Sequence, residues 1–316
     1  MAKRLTDLNR KQAEWLLAAV IVARATAYMF SQIILQSMGL FNLLAVRFLF
    51  AFAILVVLFR GRLRAMDRRT LLCGAALGGA FFLVMTAEMG ALLFTTTSTV
   101  SFLENTAIII VPLMTAALAK RLPKGSAVAS AAVALAGVGL LTLQNGLAGF
   151  SAGHLIALAA AFLYAATIIL TDRFSHTADA MVLGVLQIGV MGALSLIASF
   201  LLESPRMPAG LTEWAPMVVL IVVCTIFGFT LQPVAQSKTS AEKAGVFCAL
   251  NPAASAVLGT VFLHEYLGVS GLAGAALILL SIFIPQLWEK RLQKRLRKRS
   301  RKKEAGPHSR ISAFPG

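Results

Sequence analysis

The sequence has few charges, few cysteines and no catalytic signature. Only 13% of its 316 residues are charged, against about 25% in a typical soluble domain. Acidic residues are scarcest, 13 Asp and Glu against 29 Lys and Arg. The three cysteines, Cys73, Cys224 and Cys248, fall inside apolar runs at no metal or disulfide spacing, so they read as small hydrophobes. Four histidines (His154, His176, His264, His308) form no ligand cluster, and no metal or cofactor is expected. HExxH, GxSxG, paired aspartates within apolar runs and a Cys/His dyad are all missing, and His264-Glu265 is half a zinc motif without its second histidine. These absences argue against an enzyme, and the lack of an ATP-binding motif argues against a pump that carries its own ATPase.

What is present is hydrophobicity, 58% of residues. Apolar runs of roughly 18 to 23 residues, the length of a membrane-spanning helix, recur down the whole chain. Ten spans are expected, at about 15–36, 40–59, 71–94, 98–119, 126–143, 154–171, 181–202, 215–236, 245–263 and 267–287. The first is too long for a signal peptide, holds Arg24 at its middle and lacks a small-x-small cleavage site. The fold class is therefore an all-α polytopic membrane protein.

Lys and Arg set the expected orientation. Lys3, Arg4, Arg10 and Lys11 precede the first span, five arginines (Arg60, Arg62, Arg64, Arg68, Arg69) follow the second, and Lys120, Arg121 and Lys124 follow the fourth. Arg173 follows the sixth, and Lys238 and Lys243 the eighth, whereas the opposite side has only Arg206. Both termini are thus expected in the cytoplasm of a cell with the protein in its (inner) membrane. The run of ten basic residues from Lys290 to Lys303 reads as a cytoplasmic tail near anionic lipid. It has no aromatic platform or recognition motif, and no nucleic-acid partner is expected.

Internal repetition points to the architecture. NTAIIIVPLMTAALAKRLPKG from Asn105 and NPAASAVLGTVFLHEYLGVSG from Asn251 share Asn and Gly 20 positions apart, each followed by a small-residue-rich span. Spans 4 and 5 thereby match spans 9 and 10. A five-span unit reverses orientation between copies, which predicts two inverted five-helix repeats with the substrate site near the midplane between them. The small residues of spans 5 and 10 read as helix-packing surfaces.

The stretch from Ala235 to Leu279 carries a resemblance: a short polar loop (Thr239–Lys243), Asn251-Pro252 within a span, Glu265 after it, then Gly271 and Gly274. With Arg47-Phe48 and Ala91–Ser98 in the first half, this is similar to EamA-type transporters of the drug/metabolite transporter superfamily. Glu88 and Glu104 depart from the family pattern, and the first-half counterpart of Glu265 is missing. The resemblance implies segments 1–14 (cytoplasmic N-terminus), 15–143 and 154–287 (EamA-like five-helix repeats) and 288–316 (basic tail). It implies transport, in a family whose members move amino acids, other metabolites and drugs, with a monomer or homodimer in the bilayer.

Charges inside spans narrow the site. Arg24, Tyr28 and Gln32, four apart, form a polar stripe on one helix face. Glu88, Glu104 and Asn105 are the acidic and polar counterparts, and Gln187, Gln232 and Asn251 are candidates from the second half. Arg47 reads instead as a structural ion-pair partner, and Glu265 as a cap. Arginine and carboxylate facing one cavity suit a zwitterion such as an amino acid. A carboxyl group that takes up and releases a proton as the cavity alternates makes Glu88 and Glu104 the proton-coupling candidates. The expectation is a secondary transporter, an exporter, of a small polar metabolite, with efflux of drugs or cationic compounds as the alternative.

Overall fold

The computed structural model describes residues 10–142, 151–175, 177–231 and 250–304, and among them every regular element is helical. In chain order these are α1 (Arg10–Leu35), α2 (Leu40–Arg64), α3 (Arg68–Leu92), α4 (Thr97–Asn105), α5 (Ala107–Leu118), α6 (Gly125–Thr142), α7 (Ala152–Ser175), α8 (Ala180–Leu202), α9 (Gly210–Val219), α10 (Leu250–Phe262) and α11 (Val269–Glu304). A π-helix, Leu220–Phe229, continues α9. Taking α4 with α5 and α9 with the π-helix gives ten helical segments among the described residues, and 7 of these are long and apolar enough to cross a membrane. Outward-facing Val57, Leu58 and Leu201 are each more than 60% exposed, a surface that suits hydrocarbon rather than water.

Three elements differ from the expected spans. The fourth span is broken at Thr106, because its side chain bonds the carbonyl of Leu103 (2.6 Å) and Asn105 Nδ2 bonds that of Ser101 (2.8 Å). Those side chains compete with the helix ladder, and Pro112 in α5 removes another rung. The eighth span switches to π geometry at Leu220, and Thr225 Oγ1 follows it by donating to the carbonyl five residues back (2.8 Å). The last helix does not end where hydrophobicity does: α11 runs 36 residues, through the basic segment to Glu304. At about 1.5 Å per residue it is longer than the roughly 30 Å hydrocarbon layer, which leaves room for its basic end outside lipid.

Two glutamates cap helices from a distance in sequence. Glu203, just after α8, accepts from the backbone N–H of Phe41 and Asn42 and from Asn42 Nδ2, each at 2.9 Å. Glu265 accepts from Thr97 N (2.6 Å), Ser98 N (3.0 Å) and Ser98 Oγ (2.6 Å), at the start of α4. Both carboxylates satisfy first-turn amides and favour the positive helix end.

The main packed pairs are α6 with α11, α2 with α8, α3 with α7 and α8, α1 with α10 and the π-helix, α2 with the π-helix, α4 and α5 with α7, and α4 with α10. The α6–α11 contact is backbone on backbone. A Cβ on Gly137 would lie 2.7 Å from the Gly274 carbonyl oxygen, and one on Gly274 2.6 Å from that of Gly137.

Candidate functional site

Helix periodicity puts Arg24 and Tyr28 on one face of α1, turned toward the break between α4 and α5. Tyr28 Oη donates to Glu104 Oε2 at 2.8 Å, in the last turn of α4. On its other side Glu104 is in hydrogen-bonding contact with the carboxyl of Glu88 from α3. Tyr28, Glu88 and Glu104 are all 4% exposed or less.

Opposite them stand two arginines. Arg24 lies with its guanidinium carbon 4.3 Å from the Phe229 ring centroid, beside Tyr164 of α7 and Glu88. Its Cγ passes 2.7 Å from where a Cβ would stand on Gly228, so the π-helix admits the arginine only because residue 228 is glycine. Arg47, from α2, is 1% exposed. Its Nε donates to Thr225 Oγ1 at 2.8 Å, and its guanidinium carbon is 5.0 Å from the Phe48 ring centroid.

Several of these groups border one narrow gap. Arg24, Tyr28, Arg47, Glu88 and Asn251 supply its polar wall and Ala27, Met85 and Phe229 its apolar wall. In this conformation it has room for about one water molecule. Helices from both halves of the chain contribute, with α1, α2 and α3 facing the π-helix and α10.

Of the residues singled out from sequence, Arg24, Tyr28, Glu88 and Asn251 wall the gap, and Glu104 joins through Tyr28 and Glu88. Gln32 does not: it accepts from Thr97 Oγ1 (2.5 Å) and ties α1 to the start of α4. Asn105 turns back onto its own helix. Gln187 is buried on α8 and is not among the residues around the gap. Gln232 lies outside the described residues. Sequence reasoning missed Arg47, Tyr164 and Phe229. A midspan charge was the available signal for Arg47, but reading it as an ion pair set it aside.

Residues 151–285 match the model of the EamA-like transporter family. Among solved structures, 21 chains match. One is a crystal structure described only as that of a protein, with a TM-score of 0.65 and 20% identity, covering 89% of this chain and 99% of the other. At that identity the likeness concerns the fold. No curated protein matches the chain.

Proposed function

We propose that the chain is a secondary transporter of the EamA-like transporter family, whose model its residues 151–285 match. Its substrate in this reading is a small polar metabolite, an amino acid or related zwitterion, exported by alternating access. The observation that carries the reading is the gap itself, where two arginines and Glu88, with Glu104 behind it, meet at one narrow space between helices of both halves. A substrate with one positive and one negative end finds an opposite charge for each. Two arginines at the gap disfavour a purely cationic substrate, which sets the cation-efflux reading second.

Proton coupling falls to Glu88 and Glu104. Moving the proton of the pair on and off changes the charge of the gap by one unit, and that change biases which state holds substrate. Tyr28 and Asn251 then serve as substrate-facing groups, with Arg24 and Arg47 supplying the positive charge of the wall.

Packing supports an inverted repeat. Exchanging each span with the one five places later turns α3–α7 into the pair of α1 with the π-helix, and α3–α8 into the pair of α2 with the π-helix. The same exchange turns α1–α10 into the packing of α4 and α5 on α7, and returns α2–α8, α6–α11 and α4–α10 to themselves. The Lys/Arg distribution supports the further reading that both termini are cytoplasmic and that this multi-pass protein sits in the inner membrane. Flux of a panel of amino acids into proteoliposomes, with and without an imposed proton gradient, tests the reading. Gradient-stimulated flux of at least one of them is expected, and its absence across the panel would remove the proposal.

A further inference from the structure

A folded protein pairs its buried polar atoms, and an unpaired one calls for an explanation. Among the described residues, two buried side-chain atoms without a hydrogen-bond partner belong to residues that wall the gap, Arg47 Nη1 and Asn251 Oδ1. The remaining unpaired atoms are hydroxyl oxygens of residues that do not wall it. The two gap atoms are complementary. One is a donor on a cationic group from α2, in the first half; the other is an acceptor from α10, in the second.

Arg47 is held in a way that leaves this donor over. Thr225 takes its Nε at 2.8 Å, and Phe48 lies along the guanidinium at 5.0 Å, which fixes the planar fork with Nη1 still unmatched. Arg24 is engaged differently, stacked on Phe229 and set against Tyr164 and Glu88. Its guanidinium already has aromatic, phenolic and acidic neighbours.

We infer that Arg47 is the anchor for the substrate's carboxylate and Asn251 the anchor for its ammonium group, while Arg24 is a positioning residue. This rests on the zwitterion reading above. An α-amino acid presents acceptor oxygens at one end and N–H donors at the other, the complement of an unmatched Nη1 and an unmatched Oδ1. Bound between them, in a conformation with a wider gap than the one-water space seen here, it bridges the two halves of the chain.

A cycle that deletes one group on the ligand and its partner on the protein tests this assignment. The probes are alanine with ethylamine (no carboxylate) and propionate (no amine), and leucine with isoamylamine and 4-methylpentanoate. Each competes for binding to the purified full-length protein in proteoliposomes. Wild type should prefer each amino acid over either analogue by about tenfold or more, the scale of a charge-assisted bond. Arg47→Lys should remove most of the preference over the amines and leave that over the acids. Asn251→Ala should do the reverse. Arg24→Lys should weaken all ligands together without changing either ratio. Should Arg47→Lys fail to fold, the Asn251→Ala ratios alone decide. Wild-type binding with unchanged ratios in the anchor variants, or a collapse of the amine ratio in Arg24→Lys, overturns this assignment and leaves the transport reading standing. Absence of binding by both amino acids in the wild type overturns the zwitterion reading and this assignment with it.

Discussion

Tyr28 and Glu104, 76 residues apart, are joined by a buried hydrogen bond of 2.8 Å at the point where the fourth span breaks. The bond fixes α1 against the last turn of α4 and leaves Glu104 free to contact Glu88 on its other side. Tyr28→Phe removes the donor and keeps the ring. Leaving a buried carboxyl oxygen without that partner costs about 1–3 kcal/mol. Thermal unfolding in detergent should therefore show a destabilised but folded variant. Unchanged stability would mean that water replaces the phenol.

The two distant caps give a second prediction. Glu265→Ala leaves the amides of Thr97 and Ser98 without their carboxylate, and Glu203→Ala does the same for Phe41 and Asn42. Each loss should lower stability by about 0.5–2 kcal/mol. The sites cap different helices and share no partner, so the double variant should show the sum in denaturant titrations.

The α6–α11 contact makes a sharper one. Gly137→Val or Gly274→Val drives a side chain into the opposing backbone, 2.6–2.7 Å from a carbonyl oxygen. Backbone cannot move aside as a flexible side chain can, so both variants should lose folded yield in size-exclusion profiles. Gly139→Ala, on the same helix with nothing within 4 Å of its added Cβ, should purify like the wild type. Equal yields for all three would put the contact in error.

Orientation is checked separately. A reporter active only in the cytoplasm, fused after Lys303, should be active, and so should one at the N-terminus. Activity of a periplasm-dependent reporter at either place would reverse the reading drawn from Lys and Arg.

Hydrophobicity and length were enough to locate seven membrane-crossing helices among the described residues, because lipid demands about 20 apolar residues whatever the tertiary contacts. The stripe of Arg24 and Tyr28 was legible for a related reason: polar groups inside a span must find a partner or a cavity. What sequence did not carry depends on partners distant in the chain. Gln32 shares the stripe's spacing, yet Thr97 engages it. Arg47 looked like half of an ion pair, and only the placement of Thr225 on a π-helix makes it border the gap. The break at Thr106 arises from side chains that bond their own backbone, a choice that Thr and Asn do not announce by type. The helical course of the basic segment was hidden because charge identifies where lipid ends, while helix continues wherever its own ladder can.

The central claim is that the gap carries both substrate and proton. Proteoliposomes holding wild type, Glu104→Gln or Arg24→Ala, assayed for amino-acid flux under a proton gradient and for exchange without one, test it most directly. The account predicts well-folded Glu104→Gln that exchanges substrate but no longer responds to the gradient, and Arg24→Ala that does neither. Gradient-driven flux at wild-type rates in both variants would contradict it.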